Sequence, residues 1–165
     1  MNQSAVAVIG AGYWGKNLVR NFHAIGSLHA ICDGNRAVLG KFKDEYPQTK
    51  TFQSTEKVFS SSEISAVAIA TPAETHYRLT KEALLCGKDV FVEKPLSLSV
   101  SEAAELTALA DKQGRVLMVG HLLQYHPAVL KLKELVESGE LGKLYYIYSN
   151  RLNLGKIRQE ENILW

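Results

Sequence analysis

Ala5-Val6-Ala7-Val8-Ile9-Gly10-Ala11-Gly12-Tyr13-Trp14-Gly15 is the stretch on which the fold turns: an unbroken apolar run leads directly into glycines spaced G-x-G-x-x-G. A short apolar run that does not alternate with polar residues is buried on both faces, which is the condition of a strand inside a parallel sheet. Runs of the same kind recur at Leu28 to Cys32, Ala66 to Ala70, Val90 to Val92 and Val116 to Val119, with a weaker one at Lys50 to Phe52. Helical spacing fills several of the gaps. Leu18, Val19, Phe22 and Ile25 make one stripe over 13–25, and Leu79, Ala83 and Leu84 make another over 75–86, which stops at Gly87. A third helix opens with Ser99 three positions before Glu102, the spacing of a capping box, and runs through Leu106 and Leu109 to Gly114. A fourth starts near Pro127 with Val129, Leu130, Leu132, Leu135 and Val136 apolar. Strands alternating with helices specify right-handed βαβ units, so the fold class is α/β: a doubly wound parallel sheet of the Rossmann kind, complete by residue 121.

The remaining residues, 122–165, change character. Leu144-Tyr145-Tyr146-Ile147-Tyr148 has the composition of a strand, yet nothing in the polar tail from Arg151 to Trp165 supplies a partner. The expectation is a linker helix followed by the beginning of a truncated C-terminal α+β domain, or a tail that pairs with another chain.

Composition narrows the functions. The 165 residues carry 19 Lys plus Arg against 17 Asp plus Glu, a formal charge of +2, with 46% hydrophobic and 22% charged residues. These are values of a globular domain with a sizeable core. They leave no basic footprint for nucleic acid or an anionic membrane. No apolar stretch approaches the roughly 20 residues of a membrane span, and the start lacks the pattern of a signal peptide, so the expected compartment is the cytoplasm. Cys32 and Cys86 lie in apolar stretches without metal or redox spacing and read as reduced core residues. No set of His, Cys, Asp or Glu has ligand spacing, so no metal is expected.

The glycine pattern falls between a strand and a helix, the context that gives it meaning. Gly10 permits the tight turn, Gly12 lets backbone approach a pyrophosphate, and Gly15 permits close packing of helix on sheet, while the helix start presents N–H groups and a positive dipole end. A glycine-rich turn that binds nothing is the plain alternative. Asp33 ends the second strand, at about the spacing where an acidic residue accepts hydrogen bonds from an adenosine ribose. That favours NAD; Arg36, close by, is placed to accommodate the 2′-phosphate of NADP instead, and Asp33 has a second reading as the cap of the next turn. Ala70-Thr71-Pro72 and Glu93-Lys94-Pro95 follow later strands and so lie at the carboxyl edge of the sheet, where open α/β folds bind ligands. Lys94 is the candidate for proton transfer, against a salt-bridged surface lysine beside Glu93. His76 reaches the cleft or caps a helix. His121, Tyr125 and His126 are candidate walls of a substrate pocket, with His126 alternatively a helix-start residue before Pro127. His23 and His29 read as structural.

Taken together, the glycine turn at 10–15, Asp33, Ala70-Thr71-Pro72 with His76, the stretch Gly87 to Pro95, and Gly139-Glu140-Leu141-Gly142-Lys143 resemble the Gfo/Idh/MocA family of nicotinamide-dependent sugar oxidoreductases. The resemblance covers nearly the whole chain, and Glu93-Lys94-Pro95 is its most specific motif. It implies that Lys94 contacts the sugar and moves a proton, that a cis bond often precedes Pro95, and that Tyr13, Trp14, Ala70, Thr71, Pro72, His76, Glu93 and Lys94 itself join Gly10, Gly12, Gly15, Asp33 and Arg36 around the cofactor. The stretches 120–127 and 150–162 look like a narrower branch, dehydrogenases that oxidise the 3-hydroxyl of UDP-N-acetylglucosaminuronate for surface polysaccharides, which adds Arg151 and Asn153 to the substrate residues. Family members are about twice as long, and their C-terminal sheet supplies an Asp-x-x-x-His pair and a homo-oligomer contact. The resemblance therefore implies cofactor binding by this chain and little turnover, with an oxidoreductase of a free sugar or polyol, or an inactive NAD-binding module, as the competing readings.

Overall fold

The computed structural model describes residues 5–150 and 152. Six strands form one sheet: β1 (Val6–Ile9), β2 (Leu28–Cys32), β3 (Lys50–Phe52), β4 (Ala66–Ile69), β5 (Asp89–Val92) and β6 (Leu117–Val119), in the order β3-β2-β1-β4-β5-β6. Every pairing is parallel. The chain winds outward from β1 to β3, returns to the middle, and winds outward again from β4 to β6. Strand order therefore reverses between β1 and β4, and a crevice opens there at the carboxyl ends.

The continuous apolar runs are continuous because both faces are covered. Along β1, Ala7 and Ile9 join a core with Val58, Phe59, Leu79, Ala83, Leu84, Leu106 and Ala110, which come from α3 (Thr55–Phe59), α4 (His76–Leu85) and α5 (Val100–Gln113). Val6 and Val8, pointing the other way, join Val19 and Leu39 of α1 (Gly15–Ala24) and α2 (Arg36–Glu45). The period-2 alternation of a strand thus appears as a split between two cores rather than between core and water.

Four details differ from expectation. Helices α2 and α3 have no long apolar stripe in the sequence; α2 is started by Asn35, whose side chain accepts from the Ala37 N–H. Ser99 is the N-cap of α5, but its hydroxyl meets Ser101 Oγ at 2.7 Å, so the capping box is not made. Cys86 is exposed at the end of α4, whereas Cys32 is buried as expected. Leu144 to Tyr148 form no strand in the described structure, and Tyr145 to Tyr148 are at least 80% exposed. A strand exists only through its ladder, and composition alone cannot supply one.

Contacts divide the chain into a unit ending at Gly120 and a second unit from His121 on. The described part of the second unit holds a 3₁₀ turn (Leu122–Tyr125) and α6 (Pro127–Glu137). The apolar stripe of α6 is there, but its residues Val129, Leu130 and Leu132 are exposed. No described helix is long and apolar enough to cross a membrane.

Candidate functional site

The glycine turn is built by contacts that only glycines allow at two of its positions. Gly10 has φ +84°, and a Cβ on it would lie 2.8 Å from Thr71 Cγ2 and 2.9 Å from the Ala70 carbonyl carbon. A Cβ on Gly15 would fall 1.8 Å from the Gly10 oxygen. Gly12 is different: nothing lies within 4 Å of where its Cβ would be. The turn is tight against the sheet at both ends and open in the middle. Helix α1 starts directly behind it with no acidic residue in its first turn, so the positive end of its dipole is left for an outside anion.

Asp33 links this turn to the next strand. Its Oδ2 accepts from the Ala11 N–H at 2.9 Å and its Oδ1 from the Asn35 N–H at 2.8 Å. Capping of α2 falls to Asn35, and Asp33 holds the rim of the glycine turn, half-buried, with lone pairs left for a ligand hydroxyl. Arg36 is exposed and its Nε–H donates to Gln53 Oε1 at 2.9 Å. A cavity of about 370 Å³ runs along this edge, lined by Gly10, Gly12, Asp33, Gln53, Thr71 and Pro72 among others. It is long enough to reach from the end of β2 to the turn after β4. These features fit a dinucleotide: an open glycine for the pyrophosphate, an unneutralised helix start behind it, and a carboxylate for the ribose.

Thr71 and Lys94 belong to different turns, joined by a buried histidine. His76 is 1% exposed; its Nδ1 lies 2.6 Å from the Pro95 carbonyl oxygen and its Nε2 lies 2.8 Å from that of Thr71. Each carbonyl can only accept, so each contact is a hydrogen bond when that nitrogen carries a proton. Thr71 Oγ1 and Thr75 Oγ1 meet at 2.6 Å, fixing the first turn further. The Lys94–Pro95 bond is cis, and Lys94 is exposed at the rim. Glu93, 8% exposed, accepts at Oε1 from the Trp14 indole N–H at 2.6 Å. Tyr13 is exposed, with Lys16 Nζ 5.5 Å from the centre of its ring.

Of the residues singled out in the sequence, the first unit gathers Gly10 to Gly15, Asp33, Arg36, Ala70 to Pro72, His76, Glu93 and Lys94 along one edge. His121, Tyr125 and His126 fall in the second unit and are exposed; His126 Nδ1 accepts from the Ala128 N–H at 3.2 Å, capping α6. Arg151 and Asn153 lie outside the described residues. Gln53 and the pairing of Trp14 with Glu93 had no signal in local spacing, since they depend on which strand ends are neighbours.

Fold and cleft together define a dinucleotide-binding α/β domain. Residues 4–121 match the model of the Gfo/Idh/MocA oxidoreductase family, described by its NAD-binding Rossmann fold, and the chain belongs to that family. The uncharacterized oxidoreductase YdgJ of Escherichia coli strain K12 is 37% identical over 151 residues, 88% of this chain and 42% of its own length. UDP-N-acetylglucosamine 3-dehydrogenase of Acidithiobacillus ferrooxidans is 31% identical over 127 residues, 77% of this chain and 40% of that enzyme. Among solved structures, scyllo-inositol dehydrogenase from Lactobacillus casei with bound NAD(H) and scyllo-inositol superposes with a TM-score of 0.76 at 25% identity, covering 83% of this chain and 42% of that one. The chain spans about two-fifths of the length of these relatives. Its cofactor is accordingly NAD, the ligand of the family fold and of that structure.

Proposed function

We propose that this chain is the cofactor-binding half, residues 1–121, of an NAD-dependent sugar oxidoreductase, with 122–165 opening its substrate domain. The reaction is oxidation of the 3-hydroxyl of a UDP-N-acetylglucosaminuronate in the cytoplasm. The observation that carries this reading is that one side chain, His76, ties the turn beside the glycine cleft to the turn that carries Lys94. NAD, when bound, would supply the hydride acceptor for the carbinol carbon. The chain's own contribution is to hold and to move a proton. Asp33 receives the adenosine ribose, the open face at Gly12 receives the pyrophosphate, and Lys94 at the rim accepts the hydroxyl proton as the carbonyl forms. His121, Tyr125, His126, Arg151 and Asn153 are assigned to the sugar side.

The 31% identity to a UDP-sugar 3-dehydrogenase favours this substrate. A free polyol is the second reading, favoured by the likeness to the inositol enzyme. Asp33 sets NAD above NADP, because its carboxylate lies where a 2′-phosphate would bring like charge, while Arg36 is engaged by Gln53. Hydride transfer needs sugar, base and nicotinamide aligned within a few tenths of an ångström, so the 165 residues alone turn over negligibly.

Assay of the full-length protein tests the reading. NADH forms with the UDP-uronate and far less with inositol or glucose, and Lys94→Ala lowers kcat by about 10²–10⁴ with NAD affinity nearly unchanged. Equal turnover of inositol assigns the polyol reading. Full activity in Lys94→Ala removes Lys94 from the chemistry.

A further inference from the structure

Gln53 lines the cavity beside Asp33, and the cofactor reading gives it no role. Strand pairing puts it there. β3 lies next to β2 with Phe52 opposite Cys32, and the Asp33 N–H donates to the Phe52 carbonyl at 3.1 Å, so Asp33 and Gln53 leave the sheet side by side. The Gln53 side chain is committed to a neighbour: its Oε1 accepts from the Arg36 Nε–H at 2.9 Å. Arg36 opens α2 three residues after Asp33, and the lining of the cavity includes Gln53 but not Arg36.

With an adenosine ribose on Asp33, the 2′-position of that ribose lies at this end of the cleft. In folds of this kind an arginine close behind the acidic residue is what accommodates a 2′-phosphate. Arg36 has the right place in the chain for that. Arginine holds a phosphate best through two parallel N–H bonds, which requires its planar fork to face the anion. The bond from Nε to Gln53 ties that plane to the end of β3 instead. Arg78, a second cation in the lining, is also held, with Nη1 donating to Glu82 Oε1 at 2.9 Å. Its partner is a carboxylate, whereas Gln53 is neutral and leaves the charge of Arg36 uncompensated.

We infer that Gln53 is a positioning residue that sets cofactor choice through Arg36: by holding the guanidinium toward β3, it withholds from a 2′-phosphate the cation that would offset Asp33. Discrimination against NADP then has two parts, a carboxylate that repels the phosphate and an amide that keeps a counter-charge away. The second part is the adjustable one, because a hydrogen bond between two exposed side chains shifts an equilibrium by only a few-fold. The inference rests on the cofactor reading of the cleft, with the ribose at Asp33.

The test is calorimetric titration with NAD⁺ and NADP⁺ of the chain, Gln53→Ala, Gln53→Glu, Arg36→Ala and the double variant that joins Gln53→Ala to Arg36→Ala. Gln53→Ala should tighten NADP⁺ about five-fold and leave NAD⁺ within about two-fold. Arg36→Ala alone should change NADP⁺ by less than about two-fold, since the guanidinium is already turned away, whereas in the Gln53→Ala background it should remove the whole gain. Gln53→Glu, which keeps the acceptor and adds a negative charge, should weaken NADP⁺ by about three-fold. A merely structural effect of any variant would move both cofactors together and leave their ratio alone. An unchanged ratio in Gln53→Ala, or a gain that survives removal of Arg36, overturns the inference and leaves the cofactor site standing. Binding of neither dinucleotide by the unaltered chain overturns both.

Discussion

Val6 to Ile9 and Leu144 to Tyr148 are both apolar runs of strand-like composition, and they end in opposite states. The first is buried between two parallel neighbours, with Ala7 and Val8 fully inaccessible. The second is exposed and belongs to no strand among the described residues. Side-chain preference is similar in the two; what separates them is that β1 has β2 and β4 to complete its hydrogen bonds, and that helices cover both its faces. A strand is a property of the sheet, and the first unit is where a whole sheet is present.

That contrast sets the scale of mutational effects. Leu106→Ala or Ile69→Ala, each emptying space at a fully buried position, should cost about 2–5 kcal/mol in denaturant unfolding. Leu132→Ala on exposed α6 should change stability by less than about 0.5 kcal/mol. Equal effects at the two places would break the distinction.

Two glycines of one motif sharpen it. Gly15→Ala sets a Cβ against the Gly10 carbonyl and should lower stability by about 1–3 kcal/mol, read as a fall in Tm. A Cβ at Gly12 has nothing within 4 Å, so Gly12→Val should leave Tm nearly unchanged while abolishing cofactor binding.

The smallest effect is on the cysteines. Burial, with the charge of Asp33 adding to it, pushes the Cys32 thiol up from 9.0 to about 12. A folded-state value above the unfolded one contributes stability that is full below about pH 9 and is lost as pH rises toward about 12. Native protein at pH 8 should therefore take up one alkylating group, at exposed Cys86, by mass spectrometry, and a second only on unfolding. Ready modification of Cys32 in the native state would show that β2 opens.

The six strands and the glycine turn were readable in the sequence because burial on both faces leaves an apolar run, and because a phosphate-binding turn needs glycine at fixed spacing. Helix α2 was not, since Gly40 interrupts Val38, Leu39 and Phe42 and leaves too short a stripe. The residues of the cleft were readable as types; their partners were not. Trp14 and Glu93 are 79 positions apart, and His76 and Pro95 are 19 apart, so their contacts follow from strand order rather than from any local pattern. The exposed state of Cys86 depends on which side of the end of α4 faces the sheet, which its apolar neighbours do not reveal.

The central claim is that the first unit holds a complete cofactor cleft. Calorimetric titration of the 165-residue chain with NAD⁺ and NADP tests it directly, with Gly12→Val as the matched control. The account predicts saturable binding of NAD⁺, weaker binding of NADP because of Asp33, and none in Gly12→Val at unchanged Tm. Absence of binding by the unaltered, folded chain at millimolar NAD⁺ would contradict it.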